Sequence, residues 1–223
     1  MITPHTIIRT NRRSLSLTIS KEGKLIVRAP KRLSMDYIYS FIKQKEKWIL
    51  TKQRQIENNH IVNESIYTYD ELLFCGKKYK KVEVDGLKKV ELSGNSIFVP
   101  AGLEKQKQIK LLLKWYVSVT KEILKERIVY FSNLMQIDYN IIKLDNSKTK
   151  WGSCDNKNNL NFNLRLSMLP HKVIDYIVIH ELSHIVEFNH SKKFYAIIES
   201  VMPDYKKNRA LLKQHNYLLQ LLR

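Results

Sequence analysis

Residues 180–184, which read HELSH, match the pattern H-E-x-x-H. Histidines four residues apart lie one turn from each other, so both imidazoles can bind one Zn²⁺ from the same face of a helix. The glutamate beside the first histidine can take a proton from a water molecule at the metal. We therefore predict that His180 and His184 are metal ligands and that Glu181 is the general base of a hydrolase.

The helix that carries these residues is predicted to be buried, because its other residues are apolar on almost every side. Two histidines and a glutamate inside a buried helix cost free energy unless they are paired or bind a metal. His190 follows Asn189, where the helix is predicted to end and the chain to fold back. It supplies a third ligand and leaves the fourth position open for water, which is typical of a catalytic zinc site. We expect one Zn²⁺ per chain.

The spacing between His184 and His190 also occurs in the metzincin pattern, which has a glycine three residues after the second histidine. This chain has Glu187 at that position, and a glutamate is poorly suited to a positive φ angle. Met202 would be only a nominal counterpart of the metzincin Met-turn. The metzincin interpretation is therefore disfavoured.

The elements that must position these residues follow from the apolar periodicity. Helical spacing from about Lys105 to Met135 predicts the longest helix, and strands are predicted at 139–144 and 159–166. The H-E-x-x-H helix follows Pro170 and runs from Val173 to about Phe188, with further helices after Ser191 and Pro203. In the strand around residue 162, strict alternation gives an apolar face and a polar face, the polar residues being Asn161, Asn163 and Arg165.

The first hundred residues are predicted to form mainly short strands. Alternation predicts strands at Thr6–Thr10, Leu15–Ile19 and Lys24–Arg28, followed by a helix at about 34–56 that is capped by Ser34. After a polar linker at 57–65, strands are predicted at 71–74, 79–84, 89–92 and 96–99. The predicted fold class is α+β, with a β-rich N-terminal module at 1–100 and a second domain at 101–223 that contains a small mixed sheet and the H-E-x-x-H helix.

Charge, cysteine content and hydropathy limit the function classes. The chain has 39 Lys and Arg against 21 Asp and Glu, a net charge of +18, and the first 60 residues hold about half of this excess. This excess indicates either a site for nucleic acid or a well-solvated basic surface. No apolar run approaches the ~18 residues that a membrane-spanning helix needs, and no secretory signal is visible. With only two cysteines, we expect a reduced, cytoplasmic setting.

Several segments together resemble the YgjP-like metallopeptidase family. They are Lys148–Cys154, Asn159–Leu166, Val173–His184, Asn189–Tyr195 and Met202–Tyr205, with Arg12-Arg13, Ala29-Pro30 and Lys47-Trp48-Ile49 nearer the N-terminus. The resemblance covers nearly the whole chain and implies a zincin-like peptidase domain of the small gluzincin kind behind a β-rich module. The chain departs from the usual family pattern at Lys150, where an arginine commonly precedes Trp-Gly-Ser-Cys. A lysine keeps the charge but loses bidentate geometry.

The fold that the resemblance implies suggests further roles. Strand 160–166 is expected to be an edge strand above the metal, where Asn161, Asn163 and Arg165 would bind an extended peptide substrate by β-augmentation. The alternative is an internal structural strand. Tyr205 and Arg209 are one turn apart on the last helix and are candidate stabilisers of the tetrahedral oxyanion, although surface packing explains them equally well.

The leading functional prediction is a zinc-dependent peptidase that acts on a peptide or protein substrate. A second prediction is a metalloprotease that is recruited to nucleic acid and acts on DNA-bound protein. It rests on resemblance, because related small zincins of the SprT/Wss type have that arrangement. A third, from a different class, is a non-catalytic module in which zinc stabilises the helix and the chain binds nucleic acid or a partner protein. The third would require a site closed to solvent.

Overall fold

The computed structural model describes residues 2–20, 22–54, 56–57 and 71–222, in which helices and small mixed sheets confirm the predicted α+β class. The chain forms two compact units, residues 1–65 and residues 66–223. From residue 58 onward, the predicted linker at 57–65 lies outside the described residues.

The first unit is built on a three-stranded sheet of β1 (Thr6–Thr10), β2 (Ser16–Ile19) and β3 (Leu25–Pro30). Strand β3 lies in the centre, parallel to β1 and antiparallel to β2. Two helices follow, α1 (Met35–Gln44) and α2 (46–54), and the Ser34 side chain caps α1 by accepting a hydrogen bond from the backbone N–H of Tyr37.

The core of this unit joins one face of β3 to the two helices. It contains Leu25, Val27, Ala29, Ile38, Ile42 and Ile49. Their spacing is two residues on β3 and four residues on α1, as strand and helix geometry require of residues that share a face, and Ile49 is the contribution of α2.

The second unit begins with a four-stranded sheet in the order β4-β5-β7-β6. Its strands are β4 (Glu71–Phe74), β5 (Lys77–Val84), β6 (Glu91–Ser93) and β7 (Ser96–Pro100). The turn between β4 and β5 donates backbone hydrogen bonds from Cys75 to Ser167 and from Gly76 to Met168. These strands therefore lie in the second unit, and the boundary predicted at residue 100 falls inside that unit.

The long helix α3 (Lys105–Met135) connects this sheet to the rest of the second unit and has the predicted bounds. The hydroxyl of Tyr116 donates a hydrogen bond of 2.6 Å to the carbonyl of Leu73 on β4. Further along the helix, Arg127 forms a two-pronged ion pair with Asp175 through contacts of 2.6 and 3.0 Å.

A second mixed sheet has the order β8-β10-β9, formed by β8 (Ile142–Asp145), β9 (Gly152–Cys154) and β10 (Leu160–Asn163). Strand β10 is parallel to β8 and antiparallel to β9. A 3-10 turn (Leu166–Met168) leads to helices α4 (His171–Val186), α5 (Lys192–Val201) and α6 (Tyr205–Gln214) and a final 3-10 helix (Asn216–Gln220).

The prediction of an edge strand at 160–166 is wrong, because β10 ends at residue 163 and has a hydrogen-bonded neighbour on each side. Asn161 is half-buried on the polar face of the sheet and donates to Asp145. Asn163 and Arg165 are fully buried, so neither can contact a substrate. Both side chains instead donate hydrogen bonds to backbone carbonyls inside the protein, because buried polar groups need hydrogen-bond partners.

Candidate metal centre

Helix α4 and the connection that follows it bring the three predicted histidine ligands together. His180 and His184 lie one turn apart on α4, and His190 lies between α4 and α5. Ligand atoms of all three lie within 4.8 Å of one another, and Nε2 of His180 is 3.1 Å from Nε2 of His190. Three converging imidazoles form a donor set suited to Zn²⁺, because zinc binds histidine nitrogen readily.

The turn that returns His190 to the helix needs no glycine. Helix α4 ends at Val186, and Glu187 then adopts an extended conformation with a φ of −138°. Ser191 caps α5 by accepting a hydrogen bond from the backbone N–H of Phe194. Glu187 therefore does not adopt the left-handed conformation for which the metzincin pattern uses a glycine. This agrees with the rejection of that pattern.

One aromatic side chain packs against all three imidazoles. The ring centroid of Phe194, a fully buried residue of α5, lies 4.9 Å from that of His180, 4.5 Å from that of His184 and 4.8 Å from that of His190. This packing restricts the rotation of the three rings and so helps to hold their nitrogen atoms near one another.

The surroundings of His180 and His184 favour the neutral form of imidazole, which is the form that binds metals. Burial lowers the pKa of His180 to about 3, with smaller contributions from His184, His190 and Arg209. Burial also lowers the pKa of His184. The buried Nδ1 atom of His180 has no hydrogen-bond partner among the described residues. These neutral, incompletely bonded imidazoles fit a metal ion.

Glu181 lies next to the histidines and is only 5 % exposed. Burial raises the pKa of its carboxyl group to about 8, although the charge of Lys150 opposes this shift. Its Oε2 atom has no hydrogen-bond partner in the described part of the chain. A buried carboxyl with an unused oxygen beside a metal-binding cluster can accept and return a proton.

Strand β9 makes the closest approach to this carboxyl group. A Cβ atom built on Gly152 would lie 2.6 Å from Oε1 of Glu181, which is too short for a real contact. Any larger residue at this position would therefore have to displace the side chain of Glu181. Strand β9 is also an edge of its sheet, since among the described strands it pairs only with β10.

Tyr205 and Arg209, the predicted oxyanion stabilisers, differ in their surroundings. The Tyr205 ring is buried and stacks on Tyr195 with centroids 5.7 Å apart. The Arg209 guanidinium is 5.1 Å from the Tyr195 ring, and its charge acts on both His180 and Tyr176. Arg209 is therefore close enough to the candidate metal centre for its charge to act there. Tyr205 stacks on Tyr195, which is the ring that the Arg209 guanidinium contacts.

Three residues of this site were not predicted from the sequence. Tyr176 and His180 have ring centroids 5.8 Å apart, Gly152 contacts Glu181, and Phe194 packs on the ligands. The position of Tyr176 could have been found, because it lies four residues before His180 and so on the same helical face. Nothing in the local pattern around Gly152 or Phe194 indicates which residue each one contacts.

The basic residues of the first unit divide into two groups. Arg9 donates hydrogen bonds to the backbone carbonyls of Pro30 and Leu33, and Arg12 donates to the Ser16 hydroxyl, so both have structural roles. Arg13, Arg28, Lys31 and Arg32, in contrast, are exposed.

Among the described residues, none of the helices is both long enough and apolar enough to span a membrane.

Comparisons with known proteins were made for the sequence and for the structure. The family model described as YgjP-like, metallopeptidase domain, matches residues 13–215. The crystal structure of the metallopeptidase zymogen of Pyrococcus abyssi abylysin aligns with 40 % of this chain and 93 % of its own, at 18 % identity and a TM-score of 0.37. None of the curated proteins matches the sequence.

Proposed function

This chain belongs to the YgjP-like metallopeptidase family, and from this premise we propose that it is a zinc-dependent peptidase whose general base is Glu181. The observation that carries the proposal is the convergence of three histidines beside a buried glutamate that has an unpartnered oxygen. Three protein ligands leave a coordination position for water or substrate, which favours a catalytic over a structural zinc site.

His180, His184 and His190 would hold one Zn²⁺. When bound, zinc acts as a Lewis acid that lowers the pKa of water and polarises a carbonyl group. A cation at the histidines would also lower the pKa of Glu181 by Coulomb attraction and so favour its ionised, proton-accepting form.

Glu181 moves the proton in the proposed reaction. Its carboxylate accepts a proton from the attacking water while a C–O bond forms at the scissile carbonyl carbon. The same carboxyl group then gives the proton to the nitrogen atom as the C–N bond breaks, so the products are a carboxylic acid and an amine. Burial of Glu181 and the proximity of Gly152 keep bulk water from competing for this proton.

An extended peptide would bind along the edge strand β9. This strand packs against α4 beside Glu181, and backbone pairing would place a peptide across the metal centre. We assign stabilisation of the oxyanion to Arg209, with Tyr195 and Tyr205 supporting its guanidinium.

The test is a comparison of zinc content and hydrolysis for the full chain and its Glu181→Gln variant. We expect one zinc per chain in both proteins and casein hydrolysis only in the unmodified one. Zinc in both proteins without hydrolysis in either would instead support a non-catalytic zinc-stabilised module. Absence of zinc from both would refute the metal site.

We propose, second, that the first unit binds nucleic acid. The four exposed cations Arg13, Arg28, Lys31 and Arg32 support this proposal, because phosphate contacts need accessible guanidinium or ammonium groups. Neutralising all four should weaken DNA binding. The slope of the logarithm of the binding constant against the logarithm of the salt concentration should also fall, by about one unit for each lost phosphate contact.

A control of equal charge change is available on helix α3, where Lys107, Lys110, Lys114 and Lys121 are exposed. If the α3 variant weakens DNA binding as much as the N-terminal variant does, the net charge rather than the first unit is responsible.

A further inference from the structure

A cavity of about 200 Å³ opens beside Glu181 and His180 in the second unit. Its remaining lining comes from the loop before β9, the first half of α4 and helix α6. An engineered cavity of about 150 Å³ is large enough to hold benzene, so this cavity can take one large amino-acid side chain. Its position next to the proposed general base is where a residue adjacent to the scissile bond would place its side chain.

The walls of the cavity are apolar and fixed. Trp151, Ile177 and Leu212 form them. Trp151 and Ile177 are buried, and the indole N–H of Trp151 donates a hydrogen bond of 2.9 Å to Asn216 in the final 3-10 helix. A pocket with such walls favours the aliphatic or aromatic stem of a side chain.

Besides His180 and Glu181, two polar groups of the cavity have no partner in the part of the chain that the structure describes. Tyr176 is only 3 % exposed, and its hydroxyl makes no hydrogen bond there. Lys150 is exposed and forms neither an ion pair nor a side-chain hydrogen bond with the described residues. Both are hydrogen-bond donors, and neither is used within the described fold.

The charges around the cavity favour an anion. Lys150 is close enough to Glu181 to influence its carboxyl group, and Arg209 influences both Tyr176 and His180. Two cations, Lys150 and Arg209, therefore act on this region, against one acidic residue among the described lining residues, Glu181. A carboxylate entering the cavity would meet an ammonium group and a phenol, whereas a second ammonium would be repelled.

We propose that this cavity binds the side chain of a glutamate next to the scissile bond, with Lys150 and Tyr176 determining the specificity of the enzyme for acidic peptides. The proposal rests on the proposed peptidase function. The apolar walls accommodate the methylene groups of the glutamate, Lys150 pairs with its carboxylate, and the Tyr176 hydroxyl donates a hydrogen bond to it.

Hydrolysis of two sets of three quenched fluorescent peptides, one set for each side of the scissile bond, tests the proposal. They carry Glu, Gln or Lys at each position flanking the scissile bond in turn. We expect kcat/KM for the Glu peptide to exceed that for the Gln peptide about fivefold, with the Lys peptide cleaved more slowly still, as befits a partly screened charge pair. The preference should decline at high ionic strength.

Three variants test whether Lys150 causes the preference for the Glu peptide. Lys150→Met should cleave the Glu and Gln peptides equally, and Lys150→Glu should prefer the Lys peptide. The matched control is Lys148→Met, which removes an exposed lysine two residues away that does not line the cavity, and it should keep the original preference. A preference unchanged in Lys150→Glu, or abolished in Lys148→Met, would overturn the proposal.

Tyr176→Phe removes one hydroxyl and keeps the ring. We expect KM to rise for the Glu and Gln peptides, which can accept its hydrogen bond, but not for a Met peptide, which offers only a weak sulfur acceptor. Equal effects on all three peptides would assign Tyr176 to structure rather than to recognition.

A binding measurement separates this proposal from the proposed function. A hydroxamate group anchors a peptide at a metal centre, so the residue next to it samples the adjoining cavity. Anisotropy of fluorescein-labelled peptide hydroxamates carrying Glu, Gln or Lys should give the tightest binding for Glu to the zinc-loaded protein, and Lys150→Glu should reverse that order. Tightest binding of the Glu peptide without hydrolysis would refute the peptidase proposal and support the glutamate pocket. Hydrolysis with equal affinities for the three peptides would support the peptidase proposal and refute the pocket.

Discussion

The close contact between Gly152 and Glu181 predicts that Gly152→Ala removes activity while leaving the fold largely intact. The new Cβ would lie 2.6 Å from Oε1 of Glu181, against 3.4 Å for an ordinary contact, so the carboxylate must move by roughly 0.8 Å. The carboxylate is the end of a flexible side chain and can give way more easily than backbone can. The strain should therefore be relieved by displacing the general base.

The magnitude follows from the geometry that proton transfer requires. A displacement of about 1 Å in a reacting group can cost about 100-fold in rate. We expect kcat on a quenched peptide to fall by about that factor and zinc content to stay the same, because the three atoms nearest to the new Cβ all belong to Glu181. Overpacking of this kind costs about 1 to 3 kcal/mol of unfolding free energy, which thermal melting would detect.

The control is Gly94→Ala, which adds the same methyl group at a glycine with no neighbouring atom within 4 Å. Gly94 has a φ of 56°, so its replacement should cost some stability through backbone strain and leave kcat unchanged. A Gly152→Ala protein with unaltered kcat would refute the argument that Gly152 sets the position of Glu181. Loss of zinc from that protein would refute it as well.

Three further outcomes are expected. Glu181→Gln should keep its zinc and lose about 10²- to 10⁴-fold in kcat, because the amide cannot accept the proton; unchanged kcat would exclude Glu181 as the base. His184→Ala should lose zinc and activity together, as elemental analysis beside the peptide assay will show, and added zinc should not restore them. Burial raises the pKa values of Cys75 and Cys154 to about 11, so about one thiol in a thousand is ionised near pH 8. Iodoacetamide should therefore label both slowly until the protein is unfolded, and rapid labelling of the native protein would contradict the burial of the thiols.

Much of the secondary structure could be predicted because it depends on neighbouring residues. The bounds of α3 at Lys105 and Met135, the cap at Ser34 and the presence of the strands β1, β2 and β3 all arise from local periodicity or local hydrogen bonds. The three histidines could be proposed as ligands because two of them share one helical face and the third follows after a short connection.

The role of β10 could not be predicted, because alternation alone does not show what covers a polar face. Arg165 is fully buried, and its guanidinium donates to the carbonyl of Leu221 and to the side chain of Asn146. The first of these partners lies 56 residues away in the sequence. Asn163 is buried in the same way and donates to the carbonyls of Ser147 and Lys150. Polar residues with distant partners look like surface residues in any local pattern.

The final 3-10 helix has a consequence for the order in which the enzyme matures. Asn216 holds Trp151, and Gln220 donates a hydrogen bond to the carbonyl of Lys148, across 65 and 72 residues of sequence. During synthesis, the loop beside the metal centre has no such restraint until these late residues have left the ribosome. Helix α4 and its histidines emerge earlier, so the metal site can form before the cleft beside it is complete. The arrangement of the cleft therefore depends on residues that are synthesised after the helix that carries His180 and His184.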